Sequence, residues 1–152
     1  MDLTPPEVRG FLDIGRGLGV LPVSGTQRAA AVLQSARAGD LTLIDDAIRV
    51  VELAVANDPG DGYRTTYLSN RGAGLLVRFR ETGAPADLAA AVAALEDALA
   101  AYAPDDPHLA ANLANLAAGL LLRGATGDLD TAIDFLREAV ATAAQDDMNR
   151  PA

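Results

Sequence analysis

Two stretches decide the fold: Leu68-Ser69-Asn70-Arg71-Gly72-Ala73-Gly74-Leu75-Leu76-Val77-Arg78 and Leu113-Ala114-Asn115-Leu116-Ala117-Ala118-Gly119-Leu120-Leu121-Leu122-Arg123. They match position by position at an offset of 123 − 78 = 45 residues. Each is followed by a second, differently spaced pattern. Leu88, Ala91, Val92, Leu95, Ala98 and Leu99 follow the first stretch, and Leu129, Ala132, Ile133, Leu136, Ala139 and Val140 follow the second. Ile44, Ala47, Ile48, Val51, Ala54 and Val55 repeat that pattern further upstream. Apolar residues spaced three and four apart mark one face of an α-helix. A fixed period of 41–45 residues marks a repeat architecture. The unit is helix A, turn, helix B, with turns at Gly39-Asp40, Thr82-Gly83 and Thr126-Gly127-Asp128. Glycine at such a turn suits the left-handed residue that ends many helices.

Outward from these repeats, Ser24-Gly25-Thr26-Gln27 and Thr4-Pro5-Pro6-Glu7 read as capping boxes, each opening a further helix. Asn57-Asp58-Pro59-Gly60-Asp61-Gly62 and Ala103-Pro104-Asp105-Asp106-Pro107 stop one helix and cap the next. The spacing predicts seven helices, near 5–15, 25–38, 41–57, 62–81, 86–102, 107–123 and 128–145. The chain divides into an N-terminal helix and linker over 1–24, repeats over 25–59, 60–104 and 105–145, and a tail over 146–152.

Composition agrees with an all-α fold. Of 152 residues 32 are alanine, half are hydrophobic and only 4% are aromatic. That balance favours helices in close contact over β-sandwiches or barrels. About 150 residues suffice for a single domain with a core. No cysteine is present, which excludes disulfides, a cysteine nucleophile and thiolate-bound metals. One histidine is too few for the usual zinc sites, and no phosphate-binding loop exists because there is no lysine. No metal and no cofactor are therefore expected. A net charge of −9 repels phosphate backbones, so nucleic acid is not expected as a partner. No apolar run reaches membrane length and the N-terminus is not a secretory signal, so the expected location is the cytoplasm.

The repeats resemble a tetratricopeptide-like array. Leu68, Arg71, Gly72, Leu75, Ala91, Leu95 and Ala98 take the consensus positions in one unit, and Leu113, Leu116, Ala117, Leu120, Ala132, Leu136 and Ala139 take them in the next. Ala47, Val51, Ala54 and Pro59 keep the helix B spacing in the first unit. Arg71 departs from the family by replacing an apolar residue. The period also exceeds the usual ~34, with the excess placed in the A–B turn around Arg80–Asp87. This wording is similar to a long-turn bacterial subclass often found beside caspase-like (CHAT) domains, whose catalytic cysteine is absent here. The resemblance implies a right-handed α-α superhelix of about three hairpins with an extra N-terminal helix. It also implies a protein–protein interaction module, an adaptor or scaffold rather than an enzyme. Such a module takes a peptide or helix of a partner in a concave groove.

The resemblance places Asn70 and Asn115 at one position of successive helices A, where an amide can face the groove and bond a peptide backbone. The alternative is that each bonds a neighbouring helix. Thr66, Ser69, Ala73, Ala114 and Ala118 line the same surface, and their small size leaves room for an occupant. Arg71, Arg78, Arg80 and Arg123 form the densest basic group. They are able to grip a carboxylate, or to pair structurally with Glu81, Asp87 or Asp128. A clamp for an acidic C-terminus needs Lys or Arg beside the asparagines, where Ser69, Ala111 and Ala114 stand instead. A rival reading has the groove binding or converting a small molecule, with the arginines and Tyr63, Tyr67 and Tyr102. A third reading is a structural self-assembly module. His108 reads as a solvated residue, and Asp45/Asp46, Glu96/Asp97, Asp105/Asp106 and Asp146/Asp147 as caps and solvated faces. Gly15, Gly17 and Gly19 read as a flexible joint. Finally, Ile133, Leu136, Ala139 and Val140 are expected to face inward. Phe135 is then left exposed on an open C-terminal edge, where two copies pair as a homodimer.

Overall fold

A computed structural model of the protein describes residues 41–57 and 64–149. The helices expected near 5–15 and 25–38, the glycine joint and Tyr63 lie outside the described residues. Among the described residues there are five helices and no strand: α1 (Leu41–Asn57), α2 (Arg64–Thr82), α3 (Pro85–Ala101), α4 (Leu109–Arg123) and α5 (Asp128–Asn149). Each packs on its neighbours in sequence, α2 most extensively on α3 and α4 on α5. These two pairs are helical hairpins. One close backbone approach skips a helix, α2 against α4; the backbones of α1 and α3, and of α3 and α5, stay further apart.

The expected helices recur within a few residues, with two corrections. The segment Arg80–Asp87 is not a long turn. Helix α2 runs on to Thr82 and α3 starts at Pro85, leaving only Gly83 and Ala84 between them. Gly83 has φ 71°, and its N–H donates to the Phe79 carbonyl at 2.7 Å. The extra residues therefore lengthen helix A instead of looping out. At the other end, α5 continues four residues past 145. Gln145-Asp146-Asp147-Met148 contains no glycine or proline to stop it.

The main core cluster draws on all five described helices. Its larger members are Ile44, Ile48, Leu75, Leu76, Val92, Leu95, Leu116 and Leu120, each at most 3% exposed. Small residues set the spacing within a hairpin. A methyl group added to Gly72 would overlap the Leu95 side chain, with Cδ2 at 2.8 Å. Glycine at that position thus lets α2 approach α3 closely.

Candidate functional site

Helix α2 carries Thr66, Asn70, Ala73, Val77 and Arg80 at steps of four, three, four and three residues, which makes one stripe along the helix. Helix α4 repeats it with Ala111, Asn115, Ala118 and Leu122. Because α2 touches α4 directly, the stripes lie on neighbouring rows. A pocket of about 180 Å³ opens between them, lined by Ala73, Leu76, Val77, Arg80, Glu81 and Asn115. The structure therefore brings Ala73 and Asn115 together, as expected. It adds Arg80, which among the described residues makes no ion pair. Asn70 is half-buried one turn from Ala73, does not line the pocket and has an interaction partner within the chain.

The other arginines are committed. The Arg78 guanidinium grips Asp87 through two parallel bonds, Nε to Oδ2 at 2.9 Å and Nη2 to Oδ1 at 2.8 Å. Its remaining Nη1 donates to Asp45 on α1 at 3.0 Å. One side chain thus ties the last turn of helix A to the start of helix B and to the preceding repeat. Arg123 repeats the grip on Asp128, with Nε to Oδ2 at 2.9 Å and Nη2 to Oδ1 at 2.7 Å. Asp128 also accepts the Ala125 N–H at 2.9 Å, closing the turn. These bonds to Arg78 and Arg123 hold the Asp87 and Asp128 carboxyls below the usual range, against a smaller opposing effect of burial. Both guanidiniums are shifted upward, chiefly by the same hydrogen bonds. Arg71 pairs with Glu52 at 3.1 Å. That pair explains a charged residue at an apolar consensus position, since the side chain reaches out of the α1–α2 contact to the carboxylate. Of the two roles the sequence offered these arginines, the structure shows the pairing one: Arg78 and Arg123 hold Asp87 and Asp128, and Arg71 holds Glu52.

Ser69 is corrected as well. It is only 8% exposed and lies with Thr66 beside the Tyr102 hydroxyl, so it does not present itself to a groove. The Tyr102 oxygen is buried and completes no hydrogen bond; burial pushes its pKa upward. Tyr67 packs into the α1–α2 core with Ala47 and Val51, at 5% exposure. The two described tyrosines are therefore packing groups and do not converge on the pocket. His108 is exposed, and its backbone N–H donates to the Asp106 carboxylate at 2.8 Å. Asp106 acts there as a turn-forming acceptor three residues before α4.

The sequence reading passed over one amide. Asn112 is fully buried, and its Nδ2 donates to the Leu95 carbonyl on α3 at 3.1 Å. The signal was present: residue 112 falls in the apolar stripe Leu109, Leu113, Leu116, where a polar residue requires a partner. No family model, no curated protein and no solved structure matches the chain. Among the described residues no helix is long and apolar enough to cross a membrane.

Proposed function

We propose that the chain is a tetratricopeptide-like superhelix whose α2–α4 face binds a peptide or helix of a protein partner. The close approach of the α2 and α4 backbones, which α3 does not share with α1 or α5, supports an inner row of helices A and an outer row of helices B. An inner row forms the concave side of a solenoid, the usual place for an extended ligand. One observation carries the reading. Of the arginines near the groove, Arg80 alone pairs with no carboxylate among the described residues, and it lines a pocket with Asn115. An amide that can give and accept matches a peptide bond. A guanidinium beside it matches an acidic side chain, and recognition by Arg is well suited to such groups. Ala73 and Val77 supply a small, apolar floor between them.

The occupant is therefore a peptide segment with at least one acidic side chain. The full chain should be panned against a displayed library of random peptides. Selected peptides are expected to be enriched in Asp or Glu. They should lose about tenfold or more in affinity for an Arg80→Glu/Asn115→Ala variant, the size of effect given by removing a charged hydrogen-bonding partner. Asn70→Ala should matter less, because Asn70 does not line the pocket. Peptides that bind the double variant as well as the wild type, with its helicity intact, would reject the groove.

A further inference from the structure

Among the described residues, every large hydrophobic side chain that stands exposed belongs to the last hairpin. These are Leu121 (49%), Leu122, Leu129 (60%), Ile133 (38%), Leu136 (41%), Val140 (71%) and Met148. The expectation for Phe135 is overturned. It is partly buried against Leu109, Leu113 and Ala139 within its own hairpin. Helix α5 therefore has two seams one residue apart. Ala132, Phe135 and Ala139 face α4, while Leu129, Ile133, Leu136 and Val140 face outward. Contiguous exposed apolar side chains of this kind mark an interaction surface.

We infer that this outer seam of α5 pairs with the same seam of a second copy, antiparallel and across a two-fold axis. This is a claim separate from the groove. The spacing four, three, four is that of a coiled-coil seam. It is also its own mirror: 129 + 140 = 269 and 133 + 136 = 269. An axis between residues 134 and 135 sets Leu129 against Val140 and Ile133 against Leu136, twice over. The charges agree with that register. Asp130 and Arg137 sit two helical turns apart on one flank of the seam. The same axis puts Asp130 of one copy within about 3 Å of rise of Arg137 of the other. Arg137 is free to switch, since its present contact with Asp134 is long, 3.4 Å, and both side chains are three-quarters exposed. Leu121, at the end of α4, extends the apolar face beside α5. Two hairpins so joined make a four-helix bundle.

Sedimentation equilibrium on the full chain, over low to several hundred micromolar, tests the pairing. The mass is expected to rise from 15.6 kDa to twice that value and stop there. Leu136→Asp should weaken the dimer about 100-fold or more, since it buries a charge without a partner. Asp130→Arg should weaken it about tenfold, and Asp130→Arg/Arg137→Asp should restore it, as expected of a cross-copy charge pair. Those surface variants keep the test valid should Leu136→Asp disturb folding. The chain has no cysteine, so orientation can be read directly. Leu129→Cys/Val140→Cys should cross-link under oxidation, whereas Leu129→Cys alone should not. A monomer throughout would overturn the inference. So would mass growing beyond a dimer, cross-linking by Leu129→Cys alone, or a dimer indifferent to both Leu136→Asp and Asp130→Arg.

Discussion

The second and third repeats are written with nearly the same residues and buried very differently. Leu76 is 3% exposed and its counterpart Leu121 is 49% exposed. Val92 and Leu95 are at 2% and 0%, while Ile133 and Leu136 are at 38% and 41%. Positions that face the partner helix within the hairpin do not differ: Leu75 and Leu120 are at 2% and 3%, and Ala91 and Ala132 at 0%. The comparison separates two jobs that one helical stripe performs. Part of each stripe closes its own hairpin, and part closes the junction with the next one. The bare residues of α4 and α5 include the counterparts of Leu76 and Val92, which meet Gly119 of the next hairpin, and also that of Leu95, which meets Gly72 within its own.

The largest effect follows from breaking that contrast at its sharpest point. Leu95→Ala should cost about 2–5 kcal/mol, because it empties a fully enclosed site. Leu136→Ala, the same chemical change at the matching position, should cost under about 1 kcal/mol in the monomer, where less apolar surface is withdrawn from water. Urea unfolding of both variants, at a concentration below dimer formation, measures the difference; equal losses would mean the two faces are not distinct. A smaller contrast lies one helix away. Gly72 and Ala117 hold matching positions. Gly72→Ala should destabilise by about 1–3 kcal/mol, because its methyl overlaps Leu95 in a packed site. That exceeds the ~1 kcal/mol alanine gains in helix propensity. Ala117→Gly should cost about 1 kcal/mol from propensity and lost burial, so alanine is the poorer residue at one site and the better one at the other. Thermal melts check this: the two substitutions run in opposite directions, yet each should lower Tm.

The five described helices were legible, because spacing of three and four survives even in an alanine-rich chain. The position of Asn115 was legible through the internal repeat. The rotation of α5 was not. Its inner seam, Ala132, Phe135 and Ala139, and its outer seam, Leu129, Ile133, Leu136 and Val140, are both apolar at helical spacing. Periodicity identifies an apolar arc but not which half meets the hairpin partner. The bulkier Ile133 and Leu136 suggested the inward half. The hairpin instead uses Phe135, whose ring fills the volume beside Leu109 and Leu113. The arginines were ambiguous for a related reason. Arg78 and Asp87 are nine residues apart and Arg123 and Asp128 five. Only the short turns, set by Gly83 and by Gly124 and Gly127 at positive φ, bring each pair into two-pronged contact. Asp45, the third partner of Arg78, is 33 residues away, and no local pattern announces it.

The smallest expected effect is the most specific to the Arg–Asp grips. Both grips close an A–B turn, but the Arg78 grip also reaches α1 through Asp45, whereas Arg123 has no bond to α3. Asp87 and Asp128 both have a folded pKa held below the unfolded value of about 3.9. Depressed carboxyls contribute stability that is fully present above the unfolded pKa. It is lost as pH falls through the folded pKa, when the carboxylate is protonated and the arginine is left with a neutral partner. Stability should therefore be flat with respect to these two groups from about pH 5 to neutrality and should decline below about pH 4. Asp87→Asn and Asp128→Asn should each lower stability at pH 7 and flatten the acid limb, since the amide cannot titrate. Asp87→Asn should cost more, roughly 1–2 kcal/mol, because it also loosens a side chain that spans two repeats and is largely removed from water. Arg78→Lys should not rescue it, as an ammonium cannot make the parallel pair and reach Asp45 together. Urea midpoints of the wild type and both Asn variants between pH 3 and 7 give the measurement. An acid limb unchanged in both variants would show that the grips are held by the turn rather than holding it.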